Sequence, residues 1–282
     1  MYIIFDIGGT NTRVASSEDL LTYSEPIKFK TPLSYKEGME ALYEAVETLS
    51  QGAKILGLSG GIRGPLNKAK TGIISEGILT DWINHSITTD LTNRFSAPAF
   101  LENDSAIVGL GEAAYGAGVE FDIVAYHTVS TGVGGARYVG GKLDVSSVGF
   151  EPGHQIIDLS RSILGKEIPH TLENLVSGKA LERRFGKKPY DIPQVDPIWE
   201  ELASYLSVGL RNTILYWSPD AIVLGGSMIV GDPRILNEAI VRHTEKALDG
   251  FVPCPPILDA TLKDEGGLYG AMALLTQNIE KT

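Results

Sequence analysis

Three glycine-rich segments, each placed directly after an apolar run, constrain the fold of this chain most strongly. They are DIGGTNT at residues 6–12, STGVGG at residues 130–135 and IVLGGS at residues 222–227. An apolar run followed by glycines is typical of a buried strand that ends in a tight turn, where backbone N–H groups can approach an anion. Three such turns spread along the chain predict a nucleotide held from several directions.

The plan of the first segment returns in the second half of the chain. Apolar residues 2–5 and 12–15 flank the first glycine turn, and residues 123–129 and 136–139 flank the second. A chain of 282 residues is also longer than a small single core requires. We therefore predict an α/β fold with two lobes, whose weakest junction lies near residues 116–121.

Hydrophobic periodicity predicts the remaining elements. Helices are expected over residues 35–49, 84–95, 199–217, 232–248 and 265–279, and another begins at 103–104. Further strands are expected over residues 22–29, 54–58, 99–101 and 221–224. Residues 60–81 contain many glycines and Pro65, so we expect a loop with short strands there.

Composition excludes several classes of protein. No apolar run approaches the roughly 18 residues that a membrane helix needs, and the first residues lack the basic region and cleavage site of a signal peptide. The lone Cys254 excludes an intramolecular disulfide and a zinc site built from several cysteines. These features predict a cytoplasmic protein that does not bind membranes.

Net charge argues against nucleic acid as a partner. The formal net charge is −11 at pH 7, which disfavours broad binding to nucleic acid or to anionic membranes. One local basic cluster is expected to be a solvated face, and it consists of Arg183, Arg184, Lys187 and Lys188.

The first glycine segment has two interpretations. Gly8 and Gly9 would let the backbone approach phosphate oxygens, Thr10 and Asn11 would add donors, and Asp6 could orient Mg²⁺ through its water shell. A plain β-hairpin explains the same residue types. The chain contains neither G-x-x-x-x-G-K-[ST] nor G-x-G-x-x-G, so P-loop and Rossmann interpretations lose their main support.

An acid follows the predicted strand at residues 99–101. Asp104 sits where this strand gives way to a helix, and from there a carboxylate can take a proton from a hydroxyl nucleophile. Asn103 and Asp104 are also preferred helix N-caps, and the two interpretations are compatible.

A second polar group consists of Glu151, His154 and Glu173. Two carboxylates and a neutral imidazole can accept hydrogen bonds from the hydroxyls of a polyhydroxy ligand. As a metal site the group is weak, because it lacks helical i, i+4 spacing. A structural role for His154 in its loop remains open.

In this order, the motifs resemble the ROK family of sugar kinases, within the actin-like ATPase superfamily. The resemblance runs over nearly the whole chain. Its motifs lie at residues 6–13, 58–65, 102–105, 130–135, 151–154, 172–178 and 224–226.

The resemblance implies a fold of two actin-like (ribonuclease H-like) lobes around a cleft. The N-terminal lobe would span residues 1–117 and be completed by the C-terminal helix in 265–282, and the second lobe would span 118–264. The implied activity is ATP-dependent phosphorylation of a hexose, with ATP and Mg²⁺ as cofactors and a homodimer as the assembly. Glucose is the leading substrate. Fructose, an N-acetylhexosamine, polyphosphate as the donor, or a non-catalytic sugar or nucleotide sensor are alternatives.

The resemblance also implies residue roles. Asp104 corresponds to the catalytic base. The implied sugar-binding residues are Gly61, Asn103, Asp104, Glu151, His154 and Glu173. The implied nucleotide-binding residues are Asp6, Gly8, Gly9, Thr10, Asn11, Thr131, Gly132, Gly225 and Gly226, with Asp6 on the Mg²⁺ side through water.

The chain departs from the family pattern in two places. Many members follow the Gly-His pair with a cysteine-rich zinc motif, but residues 155–172 contain no cysteine, so we expect no zinc site. The family's Asn-Leu-Pro-x-Trp sugar segment is reduced to ILTDW at residues 78–82. A repressor of this family is disfavoured because no helix-turn-helix precedes the first strand and the chain is acidic.

Overall fold

The computed structural model describes residues 1–75, 77–147 and 149–279. The chain divides into two compact units. The first comprises Met1–Ala114, Val145–Gly149 and the chain from Asp264 onward, and the second comprises Tyr115–Asp144 and Phe150–Lys263. Each unit contains one five-stranded mixed sheet, as expected of a mixed α/β fold.

The sheet of the first unit is centred on its most apolar strand. Its strands are β1 (Tyr2–Ile7), β2 (Asn11–Ser17), β3 (Ile27–Lys30), β4 (Gly57–Ile62) and β5 (Ala99–Asn103), in the order β3-β2-β1-β4-β5. β2 is antiparallel to β1 across the first glycine turn, whereas β4 runs parallel to β1 and β5 parallel to β4. Ile3, Ile4 and Phe5 are fully buried because helices cover both faces of this sheet.

Four α-helices of the described residues complete the first unit. They are α1 (Tyr35–Ser50), α2 (Ile87–Phe95), α3 (Asp104–Tyr115) and the last helix of the chain, α9 (Gly266–Ile279). α1 buries the periodic face that the sequence predicted, including Met39, Leu42 and Val46. α9 packs on β1 and β4, and its Leu268, Ala271 and Met272 share a core with Ile4 and Ile107.

Glycines let α3 and α9 cross in backbone contact. A Cβ on Gly270 would lie 1.8 Å from the carbonyl oxygen of Ile107, and one on Gly111 would lie 2.4 Å from the carbonyl oxygen of Gly266. No side chain fits at either position without separating the helices. The start of each helix is therefore held relative to the other.

The second unit repeats the strand order of the first around its own apolar strand. Its strands are β6 (Ile123–Val129), β7 (Val133–Val139), β8 (Lys142–Leu143), β9 (Ala221–Gly225) and β10 (Ile257–Asp259), in the order β10-β9-β6-β7-β8. Its helices are α4 (Leu172–Val176), α5 (Gly178–Phe185), α6 (Ile198–Trp217), α7 (Ser227–Val230) and α8 (Asn237–Leu248). β6 has the predicted bounds, and α6 begins one residue before the predicted helix.

Several predicted elements have different bounds, and three of these differences have a clear physical reason. The strand expected over 22–29 is only β3, because Asp19 accepts hydrogen bonds from the N–H groups of Leu21 and Thr22 and holds a turn there. The strand expected over 54–58 is β4, which continues through Gly60 and Gly61 into the stretch predicted as a loop. The helix expected from 232 begins at Asn237, since Pro233 disfavours helical backbone at the residue before it.

β4 tolerates two glycines because its neighbours fill their space. Phe5 pairs with Gly60 in the parallel register, and a Cβ on Gly60 would lie 2.1 Å from the Phe5 ring. A Cβ on Gly61 would lie 2.6 Å from Ile107. The missing side chains admit the Phe5 ring and α3 to the sheet, which explains a strand that propensity alone disfavours.

In the part of the chain that the structure describes, no helix combines the length and the apolar character needed to cross a bilayer.

Candidate active site

Three parallel strands bring the predicted residues of the first unit to one sheet edge. Ile7 of β1 pairs with Ile62 of β4, and Ile62 pairs with Asn103 of β5. The glycine turn after β1, the loop after β4 and Asp104 after β5 therefore begin next to one another. The carboxyl edge of parallel strands is where open α/β sheets bind ligands.

Hydrogen bonds fix the shape of the first glycine turn. The N–H of Gly8 donates to the carbonyl of Asn11 at 3.0 Å. Thr31 supports the turn from β3's end of the sheet, since its hydroxyl donates to the carbonyl of Gly8 at 2.7 Å and its N–H donates to the carbonyl of Thr10 at 2.9 Å. Thr10 and Asn11 themselves are exposed. No local sequence pattern indicates this role of Thr31, which lies 23 residues from Gly8.

Asn103 is the cap of α3, as one of the two interpretations predicted. Its Oδ1 accepts hydrogen bonds from the N–H of Ser105 at 3.0 Å and of Ala106 at 3.3 Å. Its amide nitrogen donates to the carbonyl of Gly64 at 3.0 Å, which ties the end of β5 to the loop after β4. Asn103 thus positions the residue that follows it.

Asp104 opens α3 with its carboxylate held by backbone. One oxygen, Oδ1, accepts a hydrogen bond from the N–H of Ser105 at 2.8 Å. An anionic side chain in the first helical turn is favoured by the helix dipole. The arrangement fixes one carboxylate oxygen, which suits a group that must meet a hydroxyl in a defined direction.

The carboxylate of Asp6 is largely buried and has two other carboxylates and one guanidinium near it. Burial, together with the nearby charges of Asp104 and Asp264, raises its pKa from 3.8 to about 6 against the lowering effect of Arg13. The Arg13 guanidinium is 3.7 Å from Asp6 and donates to the carbonyl of Asp264 at 2.9 Å. The first turn of α9 approaches as well, since a Cβ on Gly267 would lie 3.0 Å from Asp6 Oδ2.

Because the pKa of Asp6 is raised, removing its charge is expected to increase the free energy of unfolding by an amount that depends on pH. The folded chain binds this proton more tightly than the unfolded chain, so stability from this group is present below pH 4 and is lost as the pH rises through 6. Asp6→Asn should therefore be more stable than the parent at pH 7.5, by up to about 3 kcal/mol.

Urea unfolding at several pH values, with a chelator and without nucleotide, measures this gain. The difference between variant and parent should widen from pH 4 to 6 and then stay level. Glu44→Gln, which changes an exposed carboxylate of α1 in the same unit, is the control and should give little difference. A pH-independent difference for Asp6→Asn would contradict the assignment.

Two basic side chains near this edge were not assigned a role from the sequence. Arg63 follows β4, and its Cδ lies 3.2 Å from the position that a Cβ would take on Gly9. Lys70 reaches back to the buried carboxylate of Glu102 in β5 and forms an ion pair with it. Each follows from the folding of the loop after β4 against the sheet, and no local pattern signals either contact.

The Trp82 side chain lies in the core of the first unit. It is 1% exposed, its Nε1 donates to the carbonyl of Pro32 at 3.1 Å, and it packs over Gly38. Asp81 beside it accepts a hydrogen bond from the N–H of Tyr35. This part of the reduced sugar segment therefore has structural contacts.

In the second unit, the turn of Thr131 and Gly132 contacts Glu173. Glu173 Oε2 accepts a hydrogen bond from the N–H of Val133 at 2.9 Å, and a Cβ on Gly132 would lie 2.6 Å from the same oxygen. Glu173 belongs to the first turn of α4, which Thr171 caps by accepting from the N–H of Asn174. The structure thus brings a predicted sugar ligand against a predicted phosphate turn.

Glu151 and His154 lie beside the same strand end. Both residues are exposed; Glu151 precedes the 3-10 helix Pro152–His154, and His154 is its last residue. A Cβ on Gly153 would lie 2.2 Å from the carbonyl oxygen of Val133, so the helix rests directly on the start of β7. The segment that contains Glu151 and His154 therefore lies at the start of the strand that Glu173 also contacts.

The third glycine segment meets the second within this unit. Thr128 of β6 pairs with Gly225 of β9, so the two turns leave neighbouring parallel strands. Gly226 has φ +87° and would place a Cβ 2.4 Å from the carbonyl oxygen of Val129. The hydroxyls of Ser130 and Ser227 lie 3.0 Å apart and link the two turns.

Within residues 1–75, 77–147 and 149–279, no three or more histidine, cysteine, aspartate or glutamate side chains form a group that could hold a metal ion.

The family model named ROK family matches residues 2–278. The chain belongs to the ROK family. The chain is similar to the fructokinase of Pediococcus pentosaceus, with 26% identity over 277 residues, which is 95% of each chain. The ROK hexokinase of Thermus thermophilus has a similar structure, with a TM-score of 0.86, 26% identity, and coverage of 100% of this chain and 99% of the other.

A second solved ROK structure shares the fold. The ROK glucokinase of Streptomyces griseus, solved with glucose and AMPPNP, gives a TM-score of 0.75 at 24% identity, with 98% of this chain and 99% of that chain covered. The names of these proteins refer to different sugars: one is a fructokinase, one a hexokinase and one a glucokinase. The predicted family and actin-like fold class are confirmed.

Proposed function

We propose that this ROK protein transfers the γ-phosphoryl group of ATP to a hydroxyl of a hexose, with Asp104 as the general base. The observation that carries the proposal is the position of Asp104. It opens α3 at the same sheet edge as the Gly8 turn, and its Oδ1 is fixed by the N–H of Ser105. Relatives that span the whole chain and are named sugar kinases support it.

Phosphoryl transfer needs in-line positioning, charge neutralisation and a proton acceptor. In the proposed reaction the sugar hydroxyl gives its proton to the Asp104 carboxylate, and its oxygen forms a bond to the γ-phosphorus. The bond from the γ-phosphorus to the bridging oxygen breaks, and ADP leaves with that electron pair. No covalent enzyme intermediate is required.

The other predicted residues are assigned supporting roles. The turn around Gly8 and Gly9 binds phosphate oxygens through backbone N–H groups, as do Thr131 and Gly132. The turn at Gly225 and Gly226 is assigned to the adenosine side. In addition to Asn103 and Gly61 near the base, the sugar ligands are Glu151, His154 and Glu173.

The carboxylate of Asp6 is suited to a divalent cation. Burial and two neighbouring carboxylates raise its pKa to about 6, and a nearby cation would relieve that repulsion. We propose that Asp6 holds the water shell of Mg²⁺, which mostly keeps water and phosphate ligands. When bound, Mg²⁺ supplies positive charge to the phosphate oxygens.

Glucose is the leading substrate in this proposal, and fructose and N-acetylhexosamines are the alternatives. Residues 78–82 do not help to identify the sugar, because the Trp82 side chain in this segment is in the core and bonds to Pro32. The residue types of Glu151, His154 and Glu173, near the start of β7, support a polyhydroxy ligand. The assay below identifies the sugar. A homodimer is also proposed, and analytical ultracentrifugation tests it.

A coupled assay that follows ADP release tests the proposal. The purified chain would be mixed with Mg-ATP and glucose, fructose, mannose, N-acetylglucosamine or N-acetylmannosamine, with a sugar-free control. We expect turnover with one sugar far above the control. Sugar binding by calorimetry without turnover, using either ATP or polyphosphate, would overturn the kinase assignment in favour of a sensor.

A further inference from the structure

The loop that leads into Glu173 closes on itself. Ile156 forms an antiparallel bridge with Thr171, the N–H of Leu172 donates to the carbonyl of Gln155 at 2.9 Å, and the N–H of Ile157 donates to the carbonyl of His170 at 3.1 Å. Residues 158–169 therefore form a loop whose two ends are joined by backbone pairing. The second end continues directly into α4.

The paired residues 155–157 and 170–172 form the neck of this loop. A buried carboxylate and a buried imidazole lie at the neck. Asp158 is 8% exposed and His170 is 3% exposed. Asp158 Oδ2 is 2.9 Å from His170 Nδ1, and the same oxygen accepts hydrogen bonds from the N–H groups of Ser162 at 2.9 Å and Ile163 at 3.1 Å. Ser160 donates its hydroxyl to Asp158 Oδ1 at 2.6 Å.

Both ring nitrogens of His170 lie within hydrogen-bond distance of an oxygen. Nε2 is 2.7 Å from the carbonyl oxygen of Gly165, which can only accept a hydrogen bond. The hydrogen bond from Ser160, with those from His170 and the backbone, holds the pKa of Asp158 well below its usual range. An ionised carboxylate also only accepts, so the hydrogen bond to Asp158 requires a proton on Nδ1 of His170.

α4 cannot fix its own position. It has five residues, Leu172–Val176, and a helix of that length is unstable without support. Its support at the N-terminal end is the paired neck, because Thr171, the cap of α4, directly follows His170. The direction in which α4 presents Glu173 to the N–H of Val133 thus depends on the neck.

We propose that Asp158 and His170 are positioning residues that set the location of the Glu173 carboxylate at the start of β7. The assignment of Glu173 to sugar binding rests on the proposed function. The location of the carboxylate does not, because the hydrogen bond from the N–H of Val133 reports it directly.

Two variants and one matched control test the proposal. Asp158→Asn removes the carboxylate of the buried pair, and His170→Gln removes its imidazole. His243→Gln removes an imidazole that pairs with Glu200 on the surface of α6 and α8 in the same unit, and serves as the control. Circular dichroism and thermal unfolding check that each variant is folded.

Nuclear magnetic resonance gives the readout that is independent of activity. In the parent protein at pH 7, Nδ1 of His170 should carry a hydrogen-bonded proton that exchanges slowly with solvent. In Asp158→Asn and His170→Gln, the N–H of Val133 should exchange with solvent at least about tenfold faster, and in His243→Gln it should not change. A parent His170 without that Nδ1 proton overturns the proposal even if both variants fail to fold.

Kinetics then separate positioning from general loss of structure. In Asp158→Asn, KM for the sugar should rise about tenfold or more, while KM for ATP stays near the parent value. Unchanged exchange at Val133 together with unchanged sugar KM overturns the proposal. Should the parent phosphorylate no sugar, the proposed function fails alone, and Val133 exchange still decides whether the pair positions Glu173.

Discussion

Asp104→Asn is expected to keep the fold and to lower sugar-dependent turnover by about 10²–10⁴-fold. Asparagine retains an oxygen that can accept the hydrogen bond from the N–H of Ser105, which is 2.8 Å from the present carboxylate oxygen. It cannot take the proton of a sugar hydroxyl at neutral pH. The loss should therefore appear in kcat, with a small change in sugar affinity, and steady-state kinetics with the preferred sugar measures it.

Asp19→Asn is the matched control for this substitution. Asp19 is also an aspartate of the first unit that accepts hydrogen bonds from backbone N–H groups, those of Leu21 and Thr22 at 2.9 Å. It lies in a surface turn, so its variant should keep parent-like turnover. Near-normal turnover of Asp104→Asn in the same assay would remove Asp104 from the role of base.

Gly270→Ala is expected to destabilise the first unit by about 3 kcal/mol, at the upper end of overpacking costs. Helix propensity alone predicts the opposite sign, a gain of about 1 kcal/mol. The added methyl group would lie 1.8 Å from the carbonyl oxygen of Ile107, and backbone cannot rotate away as a side chain can. α9 would have to move off α3 and disrupt the core around Ile4 and Met272.

Chemical unfolding of Gly270→Ala measures the cost, and thermal unfolding should show a fall of about 10 °C. Gly77→Ala is the control, since among the described residues beyond its chain neighbours no atom lies within 4 Å of the methyl group that it would add. That control should stay within about 0.5 kcal/mol of the parent. A parent-like or higher stability of Gly270→Ala would show that the helices are not in the backbone contact described.

The sequence predicted those elements whose apolar pattern is continuous. Strands β1, β6 and β9 each end in a glycine turn, and helices α1 and α6 have long apolar faces. β4 was misplaced because its glycines carry no apolar signal. The residues that occupy their space, Phe5 and Ile107, are about 50 residues away in either direction, and only tertiary packing reveals them.

The residues of the candidate site were predictable where the motif is local. The dual role of Asn103 as a cap before Asp104 follows from residue type and spacing. The contact between Arg13 and Asp264 joins residues 251 positions apart, and Glu173 reaches Val133 across 40 positions. Such contacts depend on how sheets and helices assemble, so no pattern within a short window indicates them.

The crossing of α3 and α9 limits how this protein could acquire a new substrate. α3 begins with Asp104, and the first turn of α9 lies against Asp6. The two helices touch through their backbones at Gly111 and Gly270. The distance between Asp6 and Asp104 is therefore set by the packing of the helices, and changing one side chain cannot adjust it. A laboratory selection for another sugar should therefore leave these glycines unchanged and collect its substitutions in the loop after β4 and around Glu173.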